Sequence, residues 1–210
     1  MSREKVAKQA RSRATAERLL VAAIRVINKY GVEGATVPRI AETAKVAPAS
    51  MYRRYADKDA LVRAAFVHVL QQSNQNNRQM LRKLLLRETL ESTVAQVIAA
   101  FFDQYRHHPL LMRSLARYLE TTEDQAFVSE ARSIGASNVE QVVALLMVHR
   151  REIAKADPEH AMRFAVLNAA CTVEAYALDT SSLWRAFPEF SSESLARDLT
   201  AGFVAYLRSP

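Results

Sequence analysis

The sequence predicts an all-α protein with a small three-helix head and a larger helical body, about nine helices in total. Three observations carry that expectation. Apolar residues recur at helical spacing almost throughout the 210 residues. No stretch of alternating β-branched residues marks a strand. The charge is also unevenly divided: residues 1–60 carry 13 basic and 6 acidic side chains, whereas residues 61–210 carry 16 of each. The whole net charge of +7 therefore sits in the head, which suits contact with a polyanion, and the body is neutral.

Composition excludes several classes. With 50% hydrophobic residues, 24% charged, 4 Gly and 6 Pro, the chain is neither collagenous nor disordered. The single cysteine, Cys171, allows no internal disulfide framework and suits a reducing cytoplasm. No apolar run, Val97–Phe102 among them, approaches the ~18 residues of a membrane span. The start, MSREKVAKQARSR, is charged but has no apolar stretch behind it, so a secretory signal is not expected. A cytoplasmic protein without membrane contact is the expectation.

The helices follow in order. Thr15–Tyr30 places Leu20, Ala23, Ile24, Ile27 and Tyr30 on one face, with Gly31 as the stop. Residues 1–13 form a basic arm before it, with Arg3, Lys5, Lys8, Arg11 and Arg13. A second helix starts at Thr36, tolerates Pro38 in its first turn and turns Ile40, Ala41 and Ala44 inward. Pro48 opens a third, spanning Ala47–Tyr55. Asp57 caps a fourth that runs towards Leu86. Leu90–His107 ends before Pro109, and a shorter piece continues through Glu120. Asp124–Glu152 has a weak point at Gly135, Asp157–Trp184 opens with an Asp cap and Pro158, and Ser191–Arg208 follows Pro188.

Residues 36–55 carry the functional signal. Two short helices joined at Lys45–Val46 form a helix-turn-helix, whose second helix enters the DNA major groove. Val37, Ile40, Ala41, Val46, Met51, Tyr55 and Leu61 face inward, leaving Pro48, Ala49, Ser50, Tyr52, Arg53 and Arg54 outward. Hydroxyl, phenol and guanidinium groups suit phosphates and base edges. The run ATAERLLVAAIRVINKYGVEGATVPRIAETAKVAPASMYRRYADKDALVRAAF, residues 14–66, resembles the N-terminal domain of TetR-family transcriptional regulators. Tyr30-Gly31, Thr36-Val37-x-x-Ile40-Ala41 and Ser50-Met51-Tyr52-x-x-Tyr55-x-Asp57-Lys58 are the most specific parts of the likeness.

The resemblance implies phosphate contacts by Thr36, Tyr52 and Lys58, and a reading surface over Pro48–Arg53. Arg39 and Arg53 could each grip guanine or simply hold a phosphate; both alternatives stand. Lys45 also lies near the expected DNA surface. Two positions depart from the family pattern: Lys45 stands where glycine is usual in the turn, and Ala47 where a hydroxyl cap is usual. A left-handed backbone would cost Lys45 ~1–2 kcal/mol.

This divides the chain into the arm 1–13, a DNA-binding domain 14–60 and a body 61–210. For the body the resemblance implies effector binding and homodimerisation. Ala165, Ala169, Thr172 and Tyr176 form one stripe, and Leu195, Leu199, Phe203 and Tyr206 another. These stripes meet either across a two-fold axis as a four-helix bundle or within one subunit. Phe66, Phe102, Tyr105, Met112, Tyr118, Met147, Asn168 and Cys171 are candidates to line an effector pocket, or else core. With no basic cluster evident in the body, the expected effector is apolar or aromatic. No HExxH, paired CxxC, Walker loop or nucleophile elbow occurs, so neither enzyme, metal nor cofactor is expected. The reading is a homodimeric repressor on a pseudo-palindromic double-stranded operator; the alternative is a constitutive or architectural DNA-binding protein without effector.

Overall fold

The computed structural model describes residues 3–84, 89–179 and 182–210, apart from the side chains of residues 3–11, 76–77, 80–84 and 185. Among the described residues there are nine α-helices and no strand: α1 Arg3–Tyr30, α2 Val37–Ala44, α3 Ala49–Tyr52, α4 Lys58–Leu84, α5 Leu90–His107, α6 Pro109–Thr121, α7 Gln125–Leu146, α8 Pro158–Leu178 and α9 Ser192–Arg208. None is long and apolar enough to cross a membrane. Two compact units emerge, one of residues 1–71 with 110–130, the other of residues 72–109 with 131–210.

In the first unit α1 buries Leu19, Ala22, Ala23, Val26 and Ile27. That face is rotated from the expected one, because Leu20 and Ile24 are only half-buried and Tyr30 is exposed. Gly31 takes φ +72°, and its N–H closes α1 onto the Ile27 carbonyl at 2.8 Å. Gly34 is required for a different reason: a Cβ there would lie 2.5 Å from the Tyr30 carbonyl oxygen. Residues 110–130 join this unit through aromatic packing. Phe66 on α4 sits 5.6 Å from the Tyr118 ring and 6.4 Å from that of Phe127. Arg63 strengthens the join, reaching Asp124 at 3.1 Å and donating to the Tyr118 hydroxyl at 3.3 Å. Asp124 itself caps α7, accepting from the Phe127 N–H at 3.0 Å.

Three helix limits outside the helix-turn-helix differ from the sequence reading. The arm expected at 1–13 is helical from Arg3 onward and continuous with α1; the side chains of Arg3, Lys5, Lys8 and Arg11 lie outside the described residues. The expected end of the fourth helix at Leu86 lies outside them as well. Gly135 does not weaken α7; the break comes at the 3-10 segment Met147–Glu152, where His149 leaves helical geometry at φ −91°, ψ 19°. Helix α8 stops at Leu178 rather than Trp184, which falls in a separate 3-10 turn, Leu183–Ala186. The Asp157 cap stands as expected, its carboxylate accepting from the His160 N–H at 3.0 Å.

The second unit has its own core, built from Leu90, Val94 and Ile98 of α5, Val142 and Leu146 of α7, Met162, Val166 and Val173 of α8, and Phe203 and Leu207 of α9. Glu152 ties its ends together. One carboxylate oxygen accepts from the Leu90 N–H at 3.1 Å, and the other from Arg208 at 2.7 Å. His149 approaches the first oxygen at 3.3 Å. The Arg208 hydrogen bond chiefly holds the Glu152 carboxyl below its ordinary range. Its stabilisation is therefore full above the unfolded glutamate pKa of ~4.3 and is lost as pH falls through the lower folded value. Glu152→Gln should lower stability at pH 7 by about 1 kcal/mol. In urea titrations its deficit against the unchanged protein should close below about pH 4.

Candidate nucleic-acid interface

Helix α2 begins after Thr36, which lies extended at φ −77°, ψ 151° but makes no side-chain cap, leaving its hydroxyl exposed. Ile40, Ala41 and Ala44 are buried as the spacing requires, and Val37 and Val46 are half-buried. The turn closes with the Lys45 N–H on the Glu42 carbonyl and the Val46 N–H on that of Ala41, each at 3.0 Å. Lys45 is left-handed, φ 54°, ψ 49°, and is the only non-glycine residue with positive φ among those described. The strain is real because a Cβ meets the following carbonyl there. Lys45→Gly should raise stability by about 1 kcal/mol, less the greater freedom of glycine in the unfolded chain. Thermal denaturation with no gain, or a loss, would count against that account.

The helix expected to enter the groove is shorter than the sequence reading gave it. Only Ala49–Tyr52 is α-helical, and Pro48 stands at its N-cap without a side-chain bond. Single-turn bonds extend it at both ends, from the Ser50 N–H to the Ala47 carbonyl and from the Tyr55 N–H to that of Met51. Ala47 cannot supply the hydroxyl cap, so the first turn relies on Pro48 and on buried Met51.

The expected outward residues separate into groups. Pro48, Ala49, Arg53 and Lys45 are exposed, and Tyr52 is 58% exposed. Ser50 is not outward: it is 8% exposed, and its hydroxyl accepts from Arg53 at 2.9 Å. Arg54 turns back into its own domain, donating to the Ser50 carbonyl at 3.0 Å and to the Ser12 carbonyl at 3.4 Å. It fastens α3 to α1. Arg39 is exposed but donates to the Gly34 carbonyl at 2.6 Å and stacks 4.3 Å above the Tyr30 ring. Lys58 is half-buried at the start of α4, where Asp57 caps by accepting from the Ala60 N–H at 2.6 Å. Thr36, Arg39, Lys45, Tyr52, Arg53 and Lys58 thus keep polar groups on the surface of the helix-turn-helix, while Ser50 and Arg54 support them.

The eight expected effector residues are divided between the two units. Phe66, Met112 and Tyr118 belong to the first unit; Phe102, Tyr105, Met147, Asn168 and Cys171 belong to the second. Phe102 packs edge-on against Tyr176 at 5.9 Å. The Tyr105 phenol is pushed above its ordinary range by burial, with the nearby acidic groups adding to it. Asn168 and Cys171 are exposed.

The expected dimer stripes are divided between core and partly exposed positions. Ala165, Ala169, Leu195 and Phe203 are buried in the chain's own core, where α8 packs on α9. Thr172, Tyr176, Leu199 and Tyr206 are half-buried. The outer face of α8 carries Phe164, 54% exposed, and Leu167, 44% exposed; the Phe164 ring lies 5.3 Å from Tyr206. A groove of about 350 Å³ beside them is lined by Phe164, Asn168, Leu199, Gly202 and Tyr206. Sequence periodicity missed this face because α8 is apolar nearly all round, and the stripe of small residues drew the assignment inward.

Residues 19–65 match the family model described as bacterial regulatory proteins, tetR family. The fold extends that likeness over nearly the whole chain. A Rhodococcus sp. RHA1 protein of unknown function superposes with a TM-score of 0.72 at 16% identity, over 93% of this chain and 96% of its own. The transcriptional regulator FadR from Bacillus subtilis, in complex with stearoyl-CoA, does so with a TM-score of 0.67 at 17% identity, over 90% and 98%. A tetR-family transcriptional regulator from Streptomyces coelicolor gives 0.64 at 15% identity, over 91% and 81%. No curated protein matches the chain in sequence.

Proposed function

This chain belongs by its helix-turn-helix domain to the TetR family of bacterial regulatory proteins, and on that premise we propose that it is a cytoplasmic, homodimeric repressor of a pseudo-palindromic operator, released by a small apolar or aromatic effector. The observation that carries the reading is the surface of residues 36–58. There exposed Thr36, Arg39, Lys45, Tyr52 and Arg53 share one short helix-turn-helix with half-buried Lys58. Thr36, Tyr52 and Lys58 hold phosphates; Arg39 and Arg53 reach bases or the backbone. Pro48 and Ala49 bring the backbone close, and Ser50 and Arg54 set the reading helix.

Two copies meet through the outer faces of α8 and α9, with Phe164 and Leu167 at the centre and Leu199 and Tyr206 beside them. This replaces the buried stripe of Ala165, Ala169, Leu195 and Phe203. The effector is taken up in the second unit, near Phe102, Tyr105 and Met147; the stearoyl chain of the ligand in the complex of the similarly folded FadR supports an apolar ligand. Effector binding favours a second conformation in which α4 no longer holds the two reading helices at the operator spacing. By linkage, operator DNA weakens effector binding by the same factor. The protein is a regulator and has no catalytic role.

Selecting bound sequences from random DNA tests this reading. The expected product is a pseudo-palindrome with half-sites one helical turn, or a multiple of it, apart. An unenriched pool would instead favour the architectural reading.

A further inference from the structure

Where α6 faces the turn between α1 and α2, the first unit contains a cleft of about 350 Å³, within the usual range for small-ligand sites. Arg113 and Arg117 line it, one helical turn apart on the same face of α6. Ser114, Thr121 and the exposed Tyr30 add hydroxyl groups, and Glu33 is the acidic residue of the lining. The Nε of Arg113 is closed off from solvent and has no hydrogen-bond partner. Among the described residues no carboxylate pairs with either arginine. A guanidinium with a buried, unused N–H is costly to keep, and nothing described in the fold offsets it. The surroundings reinforce the positive character. Lys29 lies 4.9 Å from the Tyr30 ring and Arg39 4.3 Å, and the Lys29 hydrogen bond heads the causes that lower the Tyr30 phenol pKa.

We propose that this cleft binds a small free oxyanion, a carboxylate or phosphate group on a metabolite, with Arg113 and Arg117 as its cationic wall. The planar guanidinium fork matches both groups in bidentate fashion. The site also lies next to the reading surface. The Leu111 N–H donates to Asn28 of α1 at 3.3 Å, and Gly34 in the adjoining turn accepts from Arg39. An anion that tightens α6 against this turn therefore acts directly on the segment that presents Thr36 and Arg39. The site is independent of the operator reading and of the effector proposed for the second unit.

Thermal denaturation of the full chain in anion-poor buffer, titrated separately with benzoate, phenyl phosphate and inorganic phosphate, tests the site and separates the carboxylate source from the phosphate one. The unchanged protein should show a saturable rise in Tm with at least one probe. Arg113→Met should melt at the same or a higher temperature without anion, because an unpaired charge is gone, and should need more than about tenfold more probe for the same rise. Arg117→Met, at an exposed position, should weaken the response without affecting folding. No response to any probe, or an undiminished response in both variants, would overturn the proposal. A lower Tm for Arg113→Met without anion would make the side chain structural and overturn it too. So would weaker binding of that variant to a random-sequence duplex, which would assign the arginine to the DNA surface.

Discussion

Tyr52→Ala combined with Lys58→Ala should weaken operator binding by about 10⁴-fold while leaving fold and dimer intact. Each side chain is proposed to hold one phosphate, and a charge-assisted hydrogen bond contributes about 1.5 kcal/mol or more. Two contacts in each of two subunits give roughly 6 kcal/mol, or a little over four decades. The structural cost is small. Tyr52 is 58% exposed, and Lys58 enters none of the described hydrogen bonds or ion pairs. The slope of log affinity against log salt should also fall by about two, one for each lysine removed. Fluorescence anisotropy on the selected duplex, with circular dichroism as the folding control, measures both effects. An affinity within about threefold of the parent would sink the assignment of these two residues.

Phe164→Glu should convert the dimer to folded monomer and remove cooperative binding to paired half-sites. Burying a phenylalanine side chain contributes ~1.5–3 kcal/mol, and a two-fold axis uses each residue twice. Burying two unpaired carboxylates instead adds to the loss, so dimer affinity should fall by at least about 10³-fold. Sedimentation velocity across a concentration series reads this directly. The contrast with Ala165→Glu is informative. Ala165 is 4% exposed in the intrachain core, so a glutamate there should unfold the second unit rather than dissociate a dimer. If Phe164→Glu leaves the dimer intact, the two copies meet elsewhere.

Local rules carried most of the fold. The Asp57 and Asp157 caps and the Gly31 stop stand where spacing placed them. They could be read because each rests on a few neighbouring residues. What could not be read depended on partners far along the chain. The α1 face is rotated: α2 packs closely on this helix, and Leu19 and Val26 are buried while Leu20 stays half-buried. Ser50 and Arg54 have the chemistry of DNA-contacting groups. Only the position of Ser12, far back along the chain, shows that Arg54 is a fastener. The Arg113 cleft was hidden for the same reason: charge counting over residues 61–210 gives zero, yet the fold sets two arginines opposite the α1–α2 turn. The break at His149 had no glycine or proline to announce it; Glu152, Leu90 and Arg208, brought together from three elements, define that corner instead.

The internal hydrogen bonds of the arginines on the helix-turn-helix bear on how the protein would search a genome. Arg39, Arg53 and Arg54 each already have an acceptor: the Gly34 carbonyl, the Ser50 hydroxyl, and the Ser50 and Ser12 carbonyls. The side chains of Lys45 and Lys58 enter no described hydrogen bond or ion pair. On arbitrary DNA the lysines are free to track phosphates, while the arginines have little reason to leave acceptors they already hold. At the operator, a base edge placed for bidentate contact makes the exchange worthwhile for Arg39 and Arg53, while Arg54 stays as the fastener. Under the proposed reading, residence on random sequence is therefore short and scanning is fast. Discrimination then exceeds what a count of positive charges would suggest, because the side chains that read sequence are withheld until the right one arrives.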